Sequence, residues 1–193
     1  MRDFLTESLA SYLDLLASKE PAPGGGAAAA TAVAMAAALA AMSGRFSDTE
    51  LGDSSELVAR AGGLIARSAP LAQADAEAYG RVLSAYRRPA GEDGQGREQS
   101  IRAALSAAAD VPLEIAEIAA DVAALAADVA QAGNPNLRGD AVAAALLAEA
   151  GGRSASMLVG INLRGRDDPR VPRAKKLSDN AAQSARCAVA AVT

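Results

Sequence analysis

The sequence predicts an all-α protein, built as a multihelical bundle around a central alanine-rich helix. Apolar residues recur at steps of three and four through most of the chain, no segment alternates with a period of two, and alanine, the strongest helix former, dominates. Aromatic residues make up only 3% of the chain, so the core must be built mainly from small aliphatic side chains. Because each alanine contact is small, stability requires many helix pairs, and an oligomer would supply more of them.

The first two helices are separated by a proline- and glycine-rich break. Apolar residues at helical spacing predict the first helix from about Asp3 to Ser18, and the run Pro21–Gly26 ends it. The second helix is predicted from about Gly26 to Ser43, inside a segment, Pro21–Gly44, that carries no charge. That segment is long enough to span a membrane, but it contains mostly alanine and glycine, so insertion would gain little. We predict a surrounded helix at the centre of a soluble fold, with no membrane contact.

The rest of the chain alternates helical patterns with polar turns. We predict one domain over residues 1–193, with further helices over Ser55–Arg88 with a break near Pro70, from Arg97 through a bend at Pro112 to beyond Val129, from Asn136 as N-cap to about Leu163, and over Arg170–Val192. Loops are expected over residues 43–54, 89–96 and 133–136.

Composition excludes several kinds of site. The chain has no histidine, so Ser-His-Asp and Cys-His arrangements and histidine-containing zinc sites are excluded. The single cysteine, Cys187, forbids an internal disulfide and favours a reducing cytoplasm, and the N-terminus lacks the order of a signal peptide. The segment Asn162–Lys176 holds six basic residues against two acidic ones. It is most simply a solvated surface or a contact for an anionic tail, since few aromatics and little wider basicity argue against nucleic acid.

Two features suggest a ligand site. Pro23, Gly24, Gly25 and Gly26 open an uncharged helix, where bare backbone and free first-turn N–H groups suit a carboxylate, phosphate or carbonyl oxygen, although a flexible connection has the same composition. Asp75 falls on the apolar stripe of its helix. There it would titrate with a raised pKa, stay charged beside a cation, or pair with a buried polar group.

A second set of polar residues has similar alternatives. Asp140 lies in the first turns of a helix, where the helix dipole stabilises its charge, and it also falls on an apolar stripe. Asn134, Asn136 and Asn162 lie in or near apolar segments and are either site residues or simple caps and turns.

Several segments together carry a resemblance that runs nearly end to end. They are Pro21-Ala22-Pro23-Gly24-Gly25-Gly26-Ala27, Asp75-Ala76-Glu77-Ala78-Tyr79, Arg97 with the pattern that ends in Val111-Pro112-Leu113, Gly133-Asn134-Pro135-Asn136 with Asp140-Ala141-Val142-Ala143-Ala144, and Ile161-Asn162-Leu163. In these segments the chain resembles the cyclodeaminase/cyclohydrolase family of folate-processing enzymes. The family comprises relatives of the cyclodeaminase domain of formiminotransferase-cyclodeaminase and stand-alone methenyltetrahydrofolate cyclohydrolases. The chain departs from the family pattern at Ala27, Gly139 and Leu158, and residues 43–48 replace a lysine-rich loop.

The resemblance implies a helical homodimer that binds a tetrahydrofolate derivative at or near the subunit interface. We expect no cofactor beyond this substrate and assign no residue to a metal. The reaction would be hydrolysis of 5,10-methenyltetrahydrofolate to 10-formyltetrahydrofolate, or the related cyclisation of formimidoyltetrahydrofolate with loss of ammonia. Asp75 or Asp140 would be catalytic, the glycine loop and the asparagines would orient the substrate, and Arg45 or the later arginines would hold its glutamate tail. The alternative is a catalytically degenerate dimer that binds folate or a protein partner.

Overall fold

The computed structural model describes residues 3–89 and 95–192, and within these ranges it contains helices and no strand. The predicted all-α class is therefore confirmed. The α-helices, in chain order, are α1 (Leu9–Ala17), α2 (Gly25–Arg45), α3 (Asp48–Leu51), α4 (Ser55–Ser68), α5 (Leu71–Tyr86), α6 (Gln95–Ala108), α7 (Asp110–Ala132), α8 (Arg138–Asn162) and α9 (Arg170–Ala190).

Several helix ends differ from the predicted ones, and local hydrogen bonds explain two of them. The first helix begins at Leu9 because the Ser8 hydroxyl accepts the Ser11 N–H and caps it. Asn136 is not the N-cap of α8. Instead, the Asn134 side chain accepts the Asn136 N–H at 3.0 Å and starts a 3-10 turn over Pro135–Leu137 that leads into α8.

The long pattern after residue 95 divides into two helices earlier than predicted. The break lies at Ala109, and Pro112 falls in the first turn of α7. Proline is tolerated there because first-turn N–H groups have no partner inside the helix. Most of the predicted loop over residues 89–96 lies outside the described residues, and Gln95 and Gly96 already belong to α6. The predicted break near Pro70 is confirmed, since it separates α4 from α5.

The helix at the centre of the core is α7, whereas the sequence predicted α2 for this position. α7 packs against α2, α4, α5, α6, α8 and α9. Its predicted apolar stripe is almost completely buried; it consists of Ile115, Ile118, Val122, Leu125 and Val129. α2 and α8 run antiparallel, because Gly25 lies beside Ile161 at one end and the Asn134 amide donates to the Phe46 carbonyl at the other. These two helices therefore lie side by side from the end of the molecule at Gly25 to the end at Asn134.

The prediction that α2 is completely surrounded is wrong. One face buries alanines against α4, α7 and α8, but a stripe that includes Ala28, Met35 and Ala38 faces outward. Met35 is 51% exposed. The adjoining surface of α8 is also apolar, with Met157 66% exposed. We call this surface the α2–α8 face; its exposed or half-exposed residues are Ala28, Ala32, Met35, Leu39, Met42, Leu147, Ala150, Ser154, Met157 and Ile161.

Both α2 and the segment Pro135–Asn162 are long and apolar enough to cross a bilayer by length and composition alone. Half of the most apolar window of α2 is nevertheless buried inside the helical bundle. Core helices of soluble proteins share these properties, and the alanine-rich composition of α2 is consistent with that interpretation.

The basic segment after Asn162 has a structural task. The last carbonyl groups of a helix have no partner within it, and at the end of α6 they are bound by side chains from this segment. Arg170 donates to the Ser106 carbonyl at 2.8 Å and pairs with Asp110 at 2.6 Å, and Asn162 donates to the Ala108 carbonyl at 3.0 Å. Hydrogen bonding to Arg170 lowers the pKa of Asp168 to about 2. The α8–α9 connection is thereby fixed against the α6–α7 junction.

Replacement of Gly151 by alanine should destabilise the protein. An added Cβ would lie 2.7 Å from Val33 Cγ2 and 3.1 Å from the Ala29 carbonyl oxygen, where α8 crosses α2. Overpacking of this kind costs about 1–3 kcal/mol. Urea unfolding of Gly151→Ala measures the loss. Gly160→Ala is the matched control on the same helix, since no atom lies within 4 Å of its added Cβ. It should raise the free energy of unfolding by up to about 1 kcal/mol; equal values for the two variants would contradict the close-packing argument.

Candidate active site

A cleft of about 340 Å³ opens at the N-terminal end of α2. It lies within a ring of four helices, because α2 packs against α5 and α8, and α6 packs against the same two helices. The cleft is lined by Pro21, Ala22, Gly24, Gly25, Gly26, Asp75, Ala78, Tyr79, Val82, Leu105, Ala108, Leu158, Ile161 and Asn162. Asp75 is the one ionisable carboxylate among the described residues of this lining, so it dominates the local charge.

The glycine loop and Asp75 form one structural unit. Gly24 is the N-cap of α2 and has no side chain with which to bind the first-turn N–H groups. The carboxylate of Asp75, on α5, takes that place and hydrogen-bonds with the backbone of Ala27. A Cβ at Gly26 would overlap this carboxylate, whereas Cβ atoms at Gly24 and Gly25 would meet nothing within 4 Å. Gly26 is therefore the glycine that the contact requires.

The environment of Asp75 disfavours its charge. Burial raises the pKa of this carboxyl above the usual 3.8, and the hydrogen bond with the Ala27 backbone lowers it by a smaller amount. Two of the three sequence-based alternatives for Asp75 therefore hold: it pairs with a polar backbone group, and burial raises its pKa. A carboxylate in this state can take up or release a proton, and it attracts a cationic ligand.

Asn162 lies across the cleft, at the end of α8. Its side-chain N–H group is used by the Ala108 carbonyl. The amide oxygen remains available as an acceptor at a position that lines the cleft. The predicted role of Asn162 as a cap and its predicted role in the site are thus compatible.

The other predicted site residues lie at the opposite end of the molecule. Arg45 ends α2, Asn134 and Asn136 precede α8, and Asp140 lies in its first turn. From Asp140 to Asn162 the axis of α8 extends about 33 Å. At that end, the backbone N–H of Asn134 donates a hydrogen bond to the Ser47 hydroxyl, with a nitrogen–oxygen distance of 2.9 Å. Within one chain, the structure therefore does not bring these residues to Asp75.

Pro23 is the remaining predicted residue, and it is buried in the loop rather than exposed to the cleft. Among the described residues, no three acidic or cysteine side chains converge as metal ligands would.

Sequence reasoning did not assign Tyr79, Leu105, Leu158 or Ile161 to the site, although they line the cleft. Tyr79 follows Asp75 by one helical turn, so helical spacing was a sufficient signal for it. The other three come from α6 and α8, and only the packing of these helices around the end of α2 brings them together.

The fold and the cleft define a class: an all-helical bundle that holds a partly desolvated carboxylate against a glycine-opened helix, without histidine. Residues 8–183 match the family model for formiminotransferase-cyclodeaminase, and the chain belongs to that family.

Two relatives extend the match. The chain is 37% identical over 171 residues to the methenyltetrahydrofolate cyclohydrolase of Methylorubrum extorquens, covering 84% of this chain and 82% of that protein. The structure of the present chain is similar to the crystal structure of formiminotetrahydrofolate cyclodeaminase from Thermotoga maritima. The TM-score is 0.87 at 26% identity, over 98% of this chain and 97% of the other.

Replacement of Gly26 by alanine should displace the Asp75 carboxylate from the end of α2, because the new Cβ and the carboxylate cannot occupy the same space. Carboxyl-carbon NMR titration should then show the pKa of Asp75 returning from its raised value toward 3.8. Gly25→Ala is the matched control, and its Asp75 should keep the raised pKa. A pKa of Asp75 in Gly26→Ala that is unchanged from the wild type would show that the contact does not set the position of Asp75.

Proposed function

We propose that this chain is a methenyltetrahydrofolate cyclohydrolase, which hydrolyses 5,10-methenyltetrahydrofolate to 10-formyltetrahydrofolate in a reducing cytoplasm. The proposal rests on the position of the Asp75 carboxylate, which is partly buried in a largely apolar cleft. Among the described residues that line this cleft, no other side chain is charged. The methenyl bridge is a flat, delocalised cation, and a partly desolvated carboxylate is its natural electrostatic complement. The retained carboxylate and open cleft also argue against a catalytically degenerate protein.

The proposed reaction needs one group that both attracts the cation and moves protons. Water adds its oxygen to the bridge carbon and gives a proton to the Asp75 carboxylate, so the cation becomes a neutral adduct. The bond from the bridge carbon to N5 then breaks, while the hydroxyl proton of the adduct moves to N5. A formyl group remains on N10, and one proton is released to solvent overall. The first-turn N–H groups of α2 and the Asn162 amide oxygen orient the pterin and its carbonyl.

Two comparisons support different reactions on the same fold. The relative with 37% identity is a cyclohydrolase, whereas the structural neighbour with 26% identity is a cyclodeaminase. We favour the cyclohydrolase because that relative shares more of the sequence. Assays with methenyltetrahydrofolate and with formimidoyltetrahydrofolate separate the two reactions, the first by loss of methenyl absorbance and the second by its appearance.

Asp75→Asn should lower kcat/KM for methenyltetrahydrofolate by at least about 100-fold, since it removes the proton acceptor and the negative charge. In the wild type, kcat/KM should increase with pH as Asp75 ionises, and the midpoint should lie above 3.8 because burial raises this pKa. The variant should lack that step. Stopped-flow absorbance across a pH series measures both effects.

Glu77→Gln is the matched control for this experiment. Glu77 lies on the same helix, hydrogen-bonds with Gln73 and does not line the cleft. It should retain wild-type turnover. Wild-type turnover in Asp75→Asn, with the fold verified by circular dichroism, would remove Asp75 from the reaction.

We further propose that the protein is a homodimer joined through the α2–α8 face. At its cleft end this face contains a groove lined mostly by small residues together with the exposed Met157, and the exposed Met35 follows on α2 about one turn after the groove residue Ala32. Exposed apolar surface of this kind is typical of an interface between subunits. The groove adjoins the cleft, since both are lined by Gly25, Leu158 and Ile161. A second copy on this face would therefore border the cleft.

The symmetry of such a dimer would bring the two separated groups of predicted site residues together, one from each subunit. α2 and α8 span the face from the cleft to the Asn134–Asp140 end. A two-fold axis across the middle of the face, perpendicular to these helices, makes the copies antiparallel. The Asn134–Asp140 end and Arg45 of one copy then lie beside the glycine loop of the other. Asp140 and Asp75 would serve one site from different subunits.

Subunit mixing tests this arrangement. Asp75→Asn and Asp140→Asn homodimers should each have low activity. A purified heterodimer of the two should recover about half of the wild-type activity, because one of its two sites then has both carboxylates. If the site lay within one subunit, every site of the heterodimer would lack one carboxylate. A heterodimer no more active than its parents, or a wild-type monomer by analytical ultracentrifugation, would contradict the shared site.

A further inference from the structure

We infer that Tyr79 is the surface on which the flat, cationic ring system of the substrate stacks. The inference depends on the proposed function, which makes the ligand a planar cation. Tyr79 lies on α5 one turn after Asp75, lines the same cleft and is 45% exposed. It is the one aromatic side chain among the described residues that line the cleft.

The position of Tyr79 matches a flat ligand. In the ring of helices around the cleft, α5 and α8 lie across from each other, because each packs against both α2 and α6. A planar ring that enters between them meets the Tyr79 ring on one side and the aliphatic Leu158 and Ile161 on the other. Stacking would remove apolar surface of both the ligand and the tyrosine from water.

The Tyr79 side chain contributes little to the packing of the fold. Its hydroxyl has no hydrogen-bond partner within residues 3–89 and 95–192, and almost half of the side chain is exposed. The buried contacts of this part of α5 are made by Ala78 and Val82 instead. A large side chain that contributes little to the core, at the wall of a cleft, is available for a ligand.

The charge of the ligand provides a sharper criterion than its shape. The face of an aromatic ring attracts cations, and the nearby Asp75 carboxylate adds a full negative charge. Both attractions favour the methenyl cation over the 10-formyl product, whose bridge has lost its charge. Tyr79 is therefore a substrate-binding residue that binds the methenyl substrate more strongly than the formyl product, and hydrolysis itself weakens the stacking.

Steady-state kinetics of Tyr79→Leu and Tyr79→Phe test this role. Tyr79→Leu should raise KM for methenyltetrahydrofolate about tenfold, with a much smaller change in kcat. The inhibition constant of 10-formyltetrahydrofolate should increase less than KM. Tyr79→Phe keeps the ring and should restore most of the substrate affinity. Tyr86→Leu is the matched control, since Tyr86 is 47% exposed on the same helix but does not line the cleft; it should behave as wild type.

The outcomes separate this inference from the proposed function. A wild-type KM in Tyr79→Leu, a defect in Tyr79→Phe as large as that in Tyr79→Leu, or equal losses of substrate and product affinity would overturn the stacking role while the enzyme remains active. A wild-type protein that neither turns over nor binds methenyltetrahydrofolate in a calorimeter would overturn the proposed function and the stacking role together.

Discussion

The contact between the Asp75 carboxylate and the start of α2 is the constraint on which the site depends. A helix needs partners for its first N–H groups, and the glycines that begin α2 provide no side chain for that purpose. The partner comes from α5, and it fits only because residue 26 has no Cβ. One contact thus fixes the relative position of two helices and holds a carboxylate in a desolvated position, where burial raises its pKa.

Small side chains shape the rest of the molecule. Gly151 and Gly152 let α8 approach α2 and α7 closely, with Val33 and Ala119 in the space that a Cβ would need. Close approach of uniform small residues buries little area per helix pair, so the bundle needs many pairs to be stable. It also leaves the α2–α8 face apolar and uncovered in the single chain, and this surface connects the cleft to the distant Asn134–Asp140 end. The same composition that builds the core therefore leaves an apolar surface exposed.

For the basic segment, packing decides what the charged residues do. In the sequence, the residues from Asn162 to Lys176 favour a solvated surface over a contact for an anionic tail. In the structure, Asn162 and Arg170 bind the final carbonyls of α6, and Arg173 pairs with Glu117 at 2.8 Å. The Asn162 contact joins the end of α8 to the end of α6 beside the cleft, whereas Arg170 and Arg173 join α9 to α6 and α7.

The sequence by itself determined the helical class, the apolar stripe of α7 and the break at Pro70, because periodicity and proline act locally. It also placed Asp75 on an apolar stripe and glycines at the start of α2, and the structure brings these two features into contact. It misplaced the ends at Leu9 and Ala109, where single side-chain caps and first-turn geometry decide. Only the tertiary structure separated Asp140 from Asp75, exposed one stripe of α2 and brought Leu105, Leu158 and Ile161 to the cleft that Asp75 and Tyr79 line. These facts depend on how antiparallel helices align over about 30 Å, and residue spacing along one helix carries no information about that alignment.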